Sequence, residues 1–134
     1  MKILCSGVAK IMIAVGAIFV LLSQTAYSAE PGKFPAKKVL GVVVTNENLT
    51  LYTYDKDEAG SGKSACNTEC AVQWKPFAAP AGATDIAPFS VITRTDGAKQ
   101  WTIKGKPLYL YTKDEKPGDV SGDNVDGAWH IIVQ

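Results

Sequence analysis

Leu51-Tyr52-Thr53-Tyr54-Asp55-Lys56-Asp57 and Leu108-Tyr109-Leu110-Tyr111-Thr112-Lys113-Asp114 are one short alternating run written twice. Each copy closes on a Lys-Asp-Glu tip, at Glu58 and Glu115, and each is followed by a Gly-bearing loop and a tryptophan, Trp74 or Trp129. Self-similarity at this spacing is the mark of one supersecondary unit used repeatedly. Period-two alternation predicts strands, with Tyr52 and Tyr54 on one face and Leu51 and Thr53 on the other, because successive side chains of a strand point to opposite sides.

Outward from the first copy, Val39 to Thr45 is a β-branched run and Asn46-Glu47-Asn48 is turn chemistry, so 39–55 reads as a hairpin. Asp57 to Ser64 is a Gly/Ser-rich loop, Ala65 to Trp74 suits one or two helical turns, and Pro76 to Pro88 is a loop within the domain. In the second half, Phe89 to Thr93 and Lys99 to Ile103 flank a Thr95-Asp96-Gly97-Ala98 turn, and Lys104-Gly105-Lys106 leads into Pro107 to Thr112 as a third meander strand. A Gly/Asp loop at 117–127 precedes a closing strand over 128–133. The expected fold is mainly β: a small antiparallel single domain over 39–134 with little helix, built from two related meander repeats at about 39–77 and 89–134. A short hairpin cannot bury its apolar face alone, so the two halves are expected to share one core.

The N-terminus reads as a secretory signal peptide over 1–28. Lys2 and Lys10 supply positive charge, Ile11 to Leu22 an apolar run, and Ala26-Tyr27-Ser28 a small-x-small cleavage site. A polar, Pro-bearing stretch over 29–38 reads as a flexible leader. Cys5 precedes the apolar run, where a lipid-modified cysteine does not belong, so no stable membrane anchor is expected after cleavage.

Cleavage removes Cys5 and both methionines, leaving two cysteines and one histidine. It also takes Lys+Arg from 14 to 12 against 13 Asp+Glu, a net charge of −1. A near-neutral chain with Arg94 as its single arginine offers no global electrostatic footprint for nucleic acid or an anionic membrane. Its expected location is exported, either periplasmic or secreted.

The doubled Tyr-x-Tyr-x-x-Asp element resembles a secreted or lipoprotein repeat family that carries a Tyr-x-aromatic-x-x-Asp motif. Tyr52, Tyr54 and Asp57, and again Tyr109, Tyr111 and Asp114, match the motif fully. The segments Ser64 to Ala71, Asp96 to Trp101, Gly105 to Leu108 and Lys116 to Asp119 fit as well. The resemblance covers nearly all of 39–133. It implies an exported location and a repeat fold, and it assigns no activity. Many relatives carry a lipidated cysteine at the signal-peptide end, and this chain has none there.

Among residues that bear chemistry, Cys66 and Cys70 are the sharpest feature. In an exported chain they are read as a disulfide closing the Asn67-Thr68-Glu69 loop. The rival reading is a copper site of Cys66, Cys70 and His130, since soft thiolates favour Cu(I). The Asp119–His130 stretch follows a calcium loop at Ser121 and Asp123 but has Asn124 and His130 where glycine and a bidentate acid are required, so it is read as a turn-rich loop. Any catalytic triad would have to use His130, and no nucleophile elbow is present. Asp55, Asp57 and Asp114 are read as strand-tip carboxylates. Tyr52, Tyr54, Tyr109, Tyr111, Trp74, Trp101 and Trp129 are read as core and cross-strand packing, with a glycan-, peptide- or protein-binding face as the alternative. The functional expectation is an exported non-enzymatic module without a cofactor, in an envelope-associated binding or structural role. A periplasmic redox or copper-handling protein is the alternative.

Overall fold

The computed structural model describes residues 33–134, so the expected signal peptide and the first part of the expected leader lie outside the described residues. Nine strands follow: β1 Ala36–Val39, β2 Val42–Thr45, β3 Tyr52–Tyr54, β4 Trp74–Pro76, β5 Phe89–Thr93, β6 Lys99–Ile103, β7 Lys106–Pro107, β8 Tyr109–Tyr111 and β9 Trp129–Ile131. The only helix longer than a single 3-10 turn among the described residues is α1, Glu69–Gln73. The expectation of a mainly antiparallel β domain with little helix therefore holds. The strands form a two-stranded sheet (β1-β2), a three-stranded sheet (β5-β6-β7) and a four-stranded sheet in the order β4-β8-β3-β9.

Two local readings change. The first strand begins at Ala36, inside the expected leader, and the run 39–45 is broken by a turn at Leu40-Gly41 that pairs Val39 with Val42. Both central residues lie at positive φ, 50° and 84°, as a two-residue hairpin turn of type I′ requires. Gly41 was the available signal, and the flanking β-branched residues hid it. The expected 46–48 turn also forms, since Thr45 N–H donates to the Leu49 carbonyl at 2.8 Å and Leu51 N–H to that of Val43 at 3.1 Å. The third meander strand is likewise divided: Lys106-Pro107 stays with β6, while Tyr109–Tyr111 passes into the four-stranded sheet. The β5–β6 hairpin has its expected ends, with Phe89 opposite Ile103 and Thr93 opposite Lys99.

The four-stranded sheet joins the two repeats by crossing them. At its centre Tyr52 pairs with Tyr109. Strand β4 of the first repeat pairs with β8 of the second, placing Trp74 opposite Tyr111, and β9 of the second pairs with β3 of the first, placing Trp129 opposite Tyr54. The backbone repeats the exchange: Trp101 N–H donates to the Phe77 carbonyl, and Val43 N–H to that of Ile132, both at 2.9 Å. The pairings are reciprocal about the Tyr52–Tyr109 pair, each half lending its tryptophan strand to the tyrosine strand of the other. Each Tyr strand sends its leucine to one core and its first tyrosine to the other. Leu51 and Leu108 pack with Ala36, Val43, Phe89, Trp101 and Ile103, whereas Tyr52 and Tyr109 pack with Cys66, Trp74, Tyr111 and Trp129.

Candidate functional site

The doubled motif converges on the aromatic core, where its polar ends meet in a crossed pair of locks. The Tyr52 hydroxyl donates to Asp114 Oδ2 at 2.6 Å, and the Tyr109 hydroxyl donates to Asp57 Oδ2 at 2.7 Å. Each aspartate uses its other oxygen on its own loop: Asp57 Oδ1 accepts from Ala65 N–H at 2.6 Å and Asp114 Oδ1 from Ser121 N–H at 2.9 Å. Both tyrosines are fully buried. A buried hydroxyl or carboxylate is costly unless it is hydrogen-bonded, and here each solves the other's problem across the repeat boundary. Burial first, then the bond to Asp114, pushes the Tyr52 hydroxyl well above the ordinary tyrosine range. The Tyr109 hydroxyl moves the same way for the same leading cause, with Asp57 adding to it. Burial also raises the Asp57 carboxyl, against its two hydrogen bonds and the charges of Lys106 and Arg94.

The second tyrosines of the motif serve a different purpose. Tyr54, Trp129, Trp74 and Tyr111 form one continuous stack, with centroid separations of 4.2, 3.8 and 4.1 Å. The two indoles at its centre are nearly parallel, 2° apart, and both are buried. Tyr52 and Tyr109 meet this column edge-on, Tyr52 against Trp74 and Tyr109 against Trp129. Gly122 lies against the column because nothing larger fits: a Cβ there would come within 2.7 Å of Trp74 and 2.9 Å of Tyr52. Trp101 is not part of the stack and belongs to the leucine-lined core.

One clamp was missed by sequence reading. Arg94, buried on the end of β5, donates to Ser64 Oγ (2.8 Å), Gln100 Oε1 (2.7 Å), the Cys66 carbonyl (2.6 Å) and Asn67 Oδ1 (3.2 Å). Ser64 Oγ in turn lies 2.7 Å from the Tyr109 hydroxyl, so the guanidinium, Ser64, Tyr109 and Asp57 form one hydrogen-bonded chain. Among the described residues no buried side-chain polar atom is left without a partner. Nothing in a lone arginine between two threonines signalled this, because three of its four partners come from the distant 64–67 segment.

Cys66 and Cys70 form a disulfide with Cα atoms 5.2 Å apart, at the start of α1 and under the Arg94 clamp. His130 does not join them. Its Nε2 lies 2.9 Å from Asp55 Oδ2 in a largely exposed pair on neighbouring strands β9 and β3. In the loop read against a calcium site, Asp119 Oδ2 accepts from the amides of Glu115 and Lys116, and Asp123 Oδ1 from that of Ile131. These carboxylates hold the turn and the edge of β9.

The locks can be tested without disturbing ring packing. Tyr109→Phe and Tyr52→Phe each keep the aromatic column but leave a carboxylate oxygen without its donor, so each should cost about 1–3 kcal/mol of unfolding free energy in urea titration. Values within experimental error of the parent would show that the crossed bonds add nothing to the packing.

A family profile described as a secreted repeat of unknown function matches residues 36–78 and 90–133. The two matched segments correspond to β1–β4 and β5–β9, the two halves that exchange strands in the central sheet. No curated protein and no solved structure matches the chain. Matched twice over most of its described length, the chain belongs to this family of secreted repeats.

Proposed function

We propose that the chain is an exported, non-enzymatic module with a binding or structural role at the cell envelope. The observation that carries this reading is the use to which the motif is put. Its hydroxyls and carboxylates are bonded to one another across the repeat boundary, and its rings are stacked on the two tryptophans. Groups committed in this way make a rigid scaffold, and a rigid scaffold leaves recognition to surface loops and turns. Exported location is supported by the secreted-repeat family, and the disulfide suits an oxidising compartment.

The alternative, copper handling through Cys66, Cys70 and His130, requires reducing a bond that the fold keeps closed and recruiting a histidine that faces Asp55. Protein purified from the exported fraction should show no free thiol and bind no stoichiometric copper, and cell fractionation should place it with the envelope. Reversible thiols with bound copper would replace the first reading with the alternative. Recovery of the protein wholly in the soluble exported fraction would remove the envelope role.

A further inference from the structure

The turn between β1 and β2 places a leucine where the backbone does not favour one. The first central position of a type I′ turn takes Asn, Asp or Gly, since an L side chain with a Cβ is strained at positive φ. Leu40 occupies it at φ 50° and is fully exposed, so the side chain gains no burial within the fold for the strain it carries. An observed strained residue with no compensating contact points to a role outside the fold.

Its neighbours extend the feature. Val39 and Val133 are both exposed, at 40% and 70%. They are brought together by pairing, Val39 opposite Val42 and Val42 opposite Val133. Gln134 N–H donates to the Gly41 carbonyl at 3.0 Å, seating the last residues of the chain against the turn. On the other side, Val133 and Gln134 line an open cleft together with Lys104, Lys106, Ile131 and Ile132, and no acidic side chain contributes to its lining. Lys104 sits at the matching turn of the second repeat, at φ 49° before Gly105. Lys38 is exposed one residue before Val39. Lysines thus adjoin the aliphatic turn, Lys38 along β1 and Lys104 and Lys106 across the cleft that Val133 lines.

We infer that this tip, Val39-Leu40-Gly41 with Val133, docks on the surface of an anionic phospholipid bilayer. The inference rests on the envelope-associated reading above and names its partner. An exposed aliphatic turn with lysines beside it suits a fluid surface that closes around it, with the side chains in the acyl boundary and the lysines at the headgroups. The near-neutral net charge averages over the whole chain and does not describe this end of it. Contact through one tip is peripheral and reversible.

The test is co-sedimentation of the exported protein with vesicles of equal parts phosphatidylglycerol and phosphatidylcholine, against vesicles of phosphatidylcholine alone. Binding should be confined to the anionic vesicles and weaken as salt is raised. Leu40→Asn relieves the backbone strain, because asparagine accepts positive φ. It should therefore melt no lower than the parent while its vesicle partition falls about tenfold. Lys38→Glu with Lys104→Glu should lower partition by a similar factor, since each lysine near the surface adds to the attraction. Unchanged binding by Leu40→Asn overturns the inference, as does failure of the parent to bind. So does a concentration-dependent dimer that Leu40→Asn abolishes, which would make a second copy the occupant. A parent that fractionates with the envelope in cells yet ignores the vesicles overturns the bilayer partner alone and leaves the envelope reading intact.

Discussion

Trp74→Ala and Trp129→Ala are each expected to lower the unfolding free energy by about 3–5 kcal/mol, the range for truncating a buried aromatic. Small domains are stable by only about 5–15 kcal/mol, so either change removes a large share. The two losses should not add. The indoles stack directly on each other at 3.8 Å, and residues that share a contact show coupling of about 0.5–3 kcal/mol. The double variant should therefore fall short of the sum of the singles. The outer rings set a gradient: Tyr111 is buried, whereas Tyr54 is half-buried at the other end of the column, so Tyr111→Ala should cost more than Tyr54→Ala. Urea titration of the four single variants and the double measures all of this. If melting were unaffected and partner capture lost instead, the column would be a binding face and not a core.

The stack also shows where sequence reading reaches its limit. Alternation at 51–54 and 108–111 placed both tyrosines of each copy on one face, and the Asp96-Gly97 turn placed the β5–β6 hairpin, because both signals are local. The exchange of strands is not local. A chain with two similar repeats is equally consistent with Trp74 packing on Tyr54 in its own half or on Tyr111 in the other. Only the assembled sheet, ordered β4-β8-β3-β9, decides for the second. Arg94 failed to announce itself for a related reason. Its four acceptors come from Ser64, Cys66, Asn67 and Gln100, and a buried guanidinium is tolerable only once all of them are in place. At Leu40 the local rule was broken: a leucine after Val39, in a run that resumes at Val42-Val43-Val44, reads as strand, and the fold makes it the first residue of a turn.

Alkaline pH should unfold this protein cooperatively, and the crossed locks are the reason. Tyr52 and Tyr109 have hydroxyls raised above their unfolded value near 10, chiefly by burial, and each donates its proton to an aspartate. Between the unfolded and folded values the native state binds more protons than the unfolded chain, so stability falls as pH rises. Their contribution is fully present below pH 10 and is lost above it. While a hydroxyl keeps its proton in the native state, the slope is about 1.4 kcal/mol per pH unit for each tyrosine. Two acting together double that slope, so stability falls steeply once pH passes the unfolded value. Asp57 contributes with the same sign in a lower window. Its carboxyl is raised by burial, so its share is greatest at acid pH and declines as pH passes its folded value. Phenolate absorbance followed beside circular dichroism separates the cases. The two lock tyrosines should ionise in the same step that unfolds the chain, whereas Tyr52→Phe and Tyr109→Phe should each flatten the alkaline limb by one proton. Ionisation of all tyrosines near pH 10 with the fold intact would mean that the hydroxyls are not held as the crossed bonds require.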